Sequence, residues 1–373
     1  MIKVGITGQD GFMGKHLYNT LGLSPDQFER INFSKSFFDE VHLLDAFVAQ
    51  CDVIVHLAAM NRHSDPQVIY DTNIALVEKL VKSLKNTKSN AHVLMSSSTQ
   101  EERDNLYGKS KKEGRLLFEA WAKNSDGRFT GLIIPNVFGP FGRPNYNSVV
   151  ATFCHKIAHN ETPTIDVDGD MQLIYVGELV AAMQNTILQP PQKIEMQTVA
   201  FTHNCKVSEL LLLLQNYKTE YQDKGVIPTL GSVFELNLFN TYRCYMDIAQ
   251  HFPVKLKQNI DTRGCFVELI RLGIGGQVSF STTVSGITRG NHFHTRKIER
   301  FAVIKGNALI ELRQIGTSET MSFELDGNQP AFVDMPIWFT HNIKNIGTEE
   351  LYTIFWINEP YNLEDPDTYF ETV

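Results

Sequence analysis

"VGITGQDGFMG", residues 4–14, decides the first half of the fold. The apolar run 2–7 reads as a strand that enters a glycine turn. Gly8, Gly11 and Gly14 then recur at every third position and open a helical stretch over 11–21. Each glycine has a physical task at a dinucleotide loop. One permits the tight turn, one lets backbone approach a pyrophosphate, and one lets the helix pack on the sheet. The helix start, at Phe12, Met13 and Gly14, offers free N–H groups to an anion.

Outward from this loop, short apolar strands (30–33, 52–58, 92–96 and 130–135) alternate with helical stretches (42–50, 66–84 and 107–123). That alternation predicts a Rossmann-type parallel α/β sheet to about residue 190. A helix-rich region follows, clearest at 149–159, 178–188 and 208–221. After Phe252-Pro253 the texture changes to β-rich runs such as "RFAVIKGNALIELRQ", separated by Gly, Asn and Pro turns. Strands at that spacing predict an all-β barrel. We expect a dinucleotide-binding α/β domain with a helical subdomain over 1–249 and a barrel over 254–373.

A formal net charge of -8, spread along the chain, repels a phosphate backbone and excludes nucleic acid as a partner. The five cysteines (51, 154, 205, 244 and 265) are scattered, without a CxxC pair, which suits reduced thiols. The longest apolar block, 210–214, falls far short of a membrane span. These features predict a cytoplasmic protein.

"YGKSK", 107–111, carries chemistry. Tyr107 and Lys111 are four apart and share one helix face. A nearby ammonium improves a tyrosine as a general acid/base. Upstream, "LMSSST" ends a strand, and Ser98 there can hydrogen-bond a substrate carbonyl.

Taken in order, TGxxGxxG, "DVIVHLAA" (52–59), "SSS" (96–98), "YGKSK" and "PNVFGP" (135–140) resemble the extended short-chain dehydrogenase/reductases that act on nucleotide sugars. The resemblance implies Ser98, Tyr107 and Lys111 as the catalytic trio, with Asn73 in support. It implies a cofactor lying on the glycine loop, on Leu57, Ala58 and Ala59, and on Tyr107 and Lys111. It also implies a loop over 135–150 that brings Asn136 and Asn147 to substrate. This chain departs from the pattern in two places. Only eight residues separate Ser98 from Tyr107, and "YVGEL" (175–179) stands where an Asp-Asp pair is usual. After the second strand comes "INFSKSFFDE" (31–40), whose first acid is Asp39. Ser34 and Lys35 can hold a 2′-phosphate there, which favours NADPH over NADH.

The barrel region opens its own question with "GNHFHTRKIERF", 290–301. On a strand His292 and His294 point to one face, Glu299 can join from an adjoining strand, and His341 can supply a fourth ligand. Three nitrogens and a carboxylate suit Zn²⁺, Mn²⁺, Fe²⁺ or Ni²⁺, with Zn²⁺ favoured. The spacing Gly286…His292-x-His294…Glu299…Gly306, then Pro336…His341…Asn345, resembles the two motifs of the cupin family. Trp338 stands where the second motif usually has Gly. "DTRGCFVELI" (261–270) and "GQVSFSTTVSGITRGNHFH" (276–294) also resemble the sugar-nucleotide 3,5-epimerases. That likeness makes His292 a base and brings Arg289 to substrate, whereas the metal motif makes His292 a ligand. We favour the ligand.

Over its whole length, including "RPNYNSVVATFCHKIAHNE" (143–161) and "PDTYF" (366–370), the chain resembles a family of bifunctional enzymes of capsule and O-antigen synthesis in the UDP-N-acetyl-L-fucosamine pathway. The resemblance implies a homodimer. It implies C3 epimerisation of a UDP-2-acetamido-2,6-dideoxy-4-hexulose on the cupin, then NADPH reduction of C4 to UDP-2-acetamido-2,6-dideoxy-L-talose. Three rivals stay open: a monofunctional UDP-sugar reductase or 4-epimerase with a structural cupin, and a non-catalytic NADP sensor.

Overall fold

A computed structural model describes residues 1–262, 264–270, 272, 275–359 and 362–373. Part of the stretch 261–270 and the thiol of Cys265 therefore lie outside the described residues. The chain divides into two compact units, one of residues 1–149 with 169–206, the other of 150–168 with 207–373.

In chain order the elements up to residue 206 are β1 (Ile2–Thr7), α1 (Phe12–Gly22), β2 (Phe28–Ile31), α2 (Val41–Gln50), β3 (Val53–His56) and α3 (Pro66–Asn86). They continue with β4 (His92–Ser98), α4 (Leu106–Lys123), β5 (Arg128–Ile134), β6 (Asn136–Phe138) and α5 (Val149–Ala158). Next come β7 (Asp170–Tyr175), α6 (Val176–Leu188), β8 (Ile194–Thr198) and β9 (His203–Lys206).

In the first unit β2-β1-β3-β4-β5-β8 form one parallel sheet, and β6-β7-β9 a small second one. This is the Rossmann-type architecture expected. Strand order reverses at β1, so the glycine turn after Thr7 opens at the crevice where such sheets bind ligands. One apolar cluster glues the helices to the sheet, with Phe47, Ile54, Leu80, Val93, Phe118, Trp121 and Phe129 at its centre.

The second strand corrects the sequence reading. The apolar signal of Phe33 places a strand over 30–33, but the observed strand is Phe28–Ile31, with Ile2 opposite Phe28. Phe33 has left the sheet and packs its ring 4.9 Å from that of Phe47. Its apolarity reports core packing, which strand periodicity imitates over so short a run.

The second unit contains α7 (Val207–Tyr217), a π-helical turn Lys218–Asp223, α8 (Val233–Arg243) and α9 (Ile248–His251). It then runs through β10 (Val254–Lys255), β11 (Gln258–Asp261), β12 (Gly264–Val267), β13 (Gln277–Thr283), β14 (Thr288–Phe293) and β15 (Glu299–Lys305). The remaining strands are β16 (Asn307–Gln314), β17 (Thr320–Asp326), β18 (Ala331–Met335), β19 (Phe339–Asn345), β20 (Leu351–Ile357) and β21 (Tyr369–Phe370). Two five-stranded antiparallel sheets, β10-β18-β15-β20-β13 and β17-β16-β19-β14-β21, make the expected barrel. A buried network ties its wall to the helices of this unit. Arg300 grips Asp334 at 2.7 and 2.9 Å, the Tyr221 hydroxyl donates to Asp334 at 2.6 Å, and Arg243 donates to the Met335 carbonyl. A buried pair of this kind is weak evidence for stability but leaves little freedom of register.

Candidate active site and metal centre

The glycine loop is as crowded as a dinucleotide loop requires. Gly8 has φ +79°, and a Cβ on it would lie 2.8 Å from the Ala58 nitrogen. A Cβ on Gly14 would lie 2.2 Å from the Gly8 carbonyl oxygen. No side chain caps the first turn of α1 and no acid stands in it, so its N–H groups and partial positive charge are left for an anion. These residues fit a bound pyrophosphate.

Gln9 accepts the Phe33 N–H at 3.0 Å, which holds the chain after β2 beside this loop. Ser34 and Lys35 follow, both exposed, at the start of a 3₁₀ turn. Asp39 faces Lys79 at 3.5 Å, whereas no ion pair involves Lys35 among the described residues. A charged hydrogen bond to a 2′-phosphate is worth about 1.5–3 kcal/mol. On the expectation that Ser34 and Lys35 hold a 2′-phosphate, Lys35→Ala should weaken NADPH about tenfold or more, and NADH hardly at all. Equal losses in fluorescence titrations with the two cofactors would remove Lys35 from phosphate reading.

Around "YGKSK" the local fold explains the short insert. Asn105 caps α4 by accepting the Gly108 N–H at 2.7 Å. The preceding loop returns so tightly that a Cβ at Gly108 would lie 2.0 Å from the Gln100 carbonyl oxygen. Glu101 anchors that loop from within. It is buried, forks onto Arg115 at 3.0–3.1 Å, and accepts the Ser97 hydroxyl. The sequence reading missed Glu101, because its partner lies 14 residues further along the chain.

Lys111 is buried and donates to the Ser96 carbonyl at 3.0 Å, with its Nζ 5.8 Å from the centre of the Tyr107 ring. Burial lowers its pKa to about 8, although Glu101 opposes the shift. Burial, with Tyr146 nearby, pushes Tyr107 up to about 12. At neutral pH this pair is a protonated phenol beside an ammonium, the state suited to giving a proton away. Ser98 ends β4, and its Oγ accepts the Gln100 N–H at 3.1 Å. Asn73 is buried, bonded to both backbone groups of Met60 and to Ser110 at 3.0 Å. It thus fixes the segment after β3 against α4. Glu178, in the "YVGEL" departure, caps α6 by accepting the Tyr175 N–H at 3.2 Å and also accepts the Thr202 hydroxyl.

Thr99, the residue after Ser98, lines a cleft of about 490 Å³ together with Arg103, Pro135, Asn136, Asp170, Gln172 and Asn204. Asn136 thus faces a polar cleft. Asn147 is exposed in the loop before α5, and Arg289, in the second unit, bonds to Thr283 Oγ1 and the Thr282 carbonyl.

In the barrel His292, His294, Glu299 and His341 come together, one ligand atom from each lying within 4.8 Å of the others. The histidines belong to β14, its end and β19, where His292 is opposite His341. Glu299 reaches them from the facing sheet, as the first residue of β15. Its Oε2 is 3.0 Å from His294 Nε2, 3.1 Å from His341 Nε2 and 3.9 Å from His292 Nε2. Burial opposes its charge, but the three imidazoles hold the carboxyl well below its usual range.

Carbonyl oxygens settle two tautomers. Asp367 O and Phe339 O sit on His294 Nδ1 and His341 Nδ1, so both Nδ1 atoms must donate. Both rings turn Nε2 to within 3.0 and 3.1 Å of Glu299 Oε2, where a neutral ring's lone pair facing a carboxylate oxygen calls for a cation between them. That set of converging lone pairs fits a cation. Trp338 adopts φ +62° itself, stacks on Phe293 and donates its N–H to the His294 carbonyl at 2.8 Å. The turn keeps its shape without glycine, and His341 joins the cluster. No helix among the described residues is long and apolar enough to cross a membrane, and Cys51, Cys154, Cys205 and Cys244 form no disulfide among the described residues.

A Rossmann-type sheet with a glycine loop and a Tyr–Lys helix defines a nicotinamide-dependent class. Residues 4–196 match the NAD dependent epimerase/dehydratase family, and the chain belongs to that family. Residues 259–369 match the polysaccharide biosynthesis C-terminal domain. More particularly, the chain resembles capsular polysaccharide assembling protein CapF from Staphylococcus aureus, with 33% identity, a TM-score of 0.63 and coverage of 100% of both chains. It is 30% identical to UDP-2-acetamido-2,6-beta-L-arabino-hexul-4-ose reductase of Pseudomonas aeruginosa, across 99% of this chain and 98% of that one. UDP-glucose 4-epimerase of Thermotoga maritima shares the fold of the first part, with 18% identity, a TM-score of 0.52 and 58% and 83% of the two chains covered.

Proposed function

We propose that this chain performs two consecutive steps on one nucleotide sugar: epimerisation at C3 of a UDP-2-acetamido-2,6-dideoxy-4-hexulose, then reduction at C4 with NADPH. The product is UDP-2-acetamido-2,6-dideoxy-L-talose, which serves polysaccharide synthesis, and the working form is a cytoplasmic homodimer. One observation carries this reading. A cation-seeking cluster of three imidazoles and a carboxylate occurs in a chain whose other unit sets Tyr107 beside Lys111.

A proton beside a ketone is acidic because the resulting enolate spreads its charge onto oxygen. His292, His294, Glu299 and His341 would hold one divalent ion, favoured as Zn²⁺, whose charge stabilises an oxyanion nearby. Return of a proton from the opposite face inverts C3. In the reductase unit NADPH supplies the hydride to C4. Tyr107 gives its proton to the C4 oxygen, Ser98 donates a hydrogen bond to that oxygen, and the Lys111 ammonium stabilises the phenolate left behind. The polar cleft of Arg103, Asn136, Asp170, Gln172 and Asn204 suits the polar body of the substrate.

The test is incubation with the 4-hexulose in D₂O, with and without NADPH. Without NADPH, deuterium should enter at the carbon beside the ketone; with it, NADPH should be consumed and C4 reduced. Full NADPH consumption with no deuterium uptake would leave a reductase alone.

A further inference from the structure

The segment "PDTYF", 366–370, has no role in the chemistry above, yet six hydrogen bonds tie it to residues 294–297 beside the ligands. Asp367 is 3% exposed and has φ +42°. Its carboxylate accepts the N–H groups of Thr295, Arg296 and Lys297 at 3.0, 3.0 and 3.1 Å, and the Thr295 hydroxyl at 2.6 Å. Those three residues form the turn between His294 and the strand of Glu299. Successive N–H groups closing on one carboxylate make an internal anion nest. Its backbone carbonyl accepts from His294 Nδ1. One residue therefore holds both the loop and the ring.

Two further contacts fix the segment. Lys297 is buried and donates to the Pro366 carbonyl at 2.8 Å. β21 pairs with β14, placing Phe370 opposite His292 and Tyr369 opposite Phe293. The strand bearing the first histidine is thus paired on one side by β19 and on the other by 369–370.

We propose that Asp367 is the positioning residue of the metal centre: its carboxylate locks the turn 295–297, and its carbonyl holds His294 in the tautomer that leaves Nε2 free to ligate. The inference rests on the metal reading. Groups that orient a ligating histidine commonly change metal affinity 10- to 100-fold when removed.

The test uses Asp367→Asn in the full chain. Asparagine tolerates a positive φ, so the backbone is not strained, but its amide sets N–H against N–H in the nest. Zn²⁺ affinity, measured by chelator competition, should fall 10- to 100-fold in a variant that keeps the wild-type circular dichroism. Nitrogen NMR of the Zn²⁺-loaded wild-type protein should show His294 with its proton on Nδ1 and the metal on Nε2. A variant that binds Zn²⁺ within twofold of wild type overturns the proposal, even if its metal-free melting temperature falls. So does ligation of Zn²⁺ through His294 Nδ1 in the loaded wild type, a result that does not depend on the variant folding. Wild-type protein that binds no Zn²⁺ would instead sink the metal reading itself, and this inference with it.

Discussion

Tyr107→Phe should lower NADPH oxidation by about 10²–10⁴-fold, the usual worth of a positioned proton donor. Deuterium uptake beside the ketone should survive, because that exchange is assigned to the other compact unit. Burial, with Tyr146 nearby, pushes the phenol up to about 12, so it stays protonated through the physiological range. Lys111 sets the alkaline limit. Its pKa is lowered to about 8 by burial, so the ammonium is present below about pH 8 and lost as pH rises through it. A plot of kcat/KM against pH, which reports the free enzyme, should fall above about pH 8. Lys111→Met should give a low, flat profile. NADPH turnover near wild type in Tyr107→Phe would remove the tyrosine from the mechanism.

The parts of the site that the sequence makes legible are those built from neighbours. Gly8, Gly11 and Gly14 answer to one turn, Tyr107 and Lys111 to one helix face, and His292 and His294 to one strand face. Short-range geometry suffices for each. The strand error at Phe33 shows the limit of that reasoning. A single aromatic that leaves a sheet and one that ends it look alike over four residues, and only the rings of Phe37, Phe38 and Phe47 decide between them.

What stayed hidden is held by long-range partners. Glu101 is an acid in a loop until Arg115 and Ser97 close on it. Asp367 reads as a terminal charge, yet it is spent on a turn 70–72 residues earlier. Arg300 and Asp334 are charges set in largely apolar strands, 34 residues apart, and nothing local in the sequence pairs them. Trp338 is the converse case. A motif position usually given to glycine keeps its left-handed backbone because indole packing on Phe293 offsets part of the strain.

His294→Ala should have the second large effect. The imidazole lies nearest the carboxylate, at 3.0 Å, and is almost wholly buried, so no water of comparable basicity replaces it. Metal content should fall from about one divalent ion per chain towards none, and deuterium exchange beside the ketone should fall with it. Bound metal stabilises the unit that holds it by mass action, about 2.7 kcal/mol at a free concentration 100 times Kd. For a unit of this size that corresponds to about 5–10 °C in melting temperature. Chelation should therefore lower the transition of wild-type protein by that amount and leave His294→Ala almost unmoved. NADPH oxidation with the already epimerised ketone should persist in the variant, because Tyr107 and Lys111 belong to the other unit. Elemental analysis of protein purified without added metal decides the matter. Wild-type protein that holds no metal and still exchanges the substrate proton would remove the ion from the mechanism and return His292 to the place of the base.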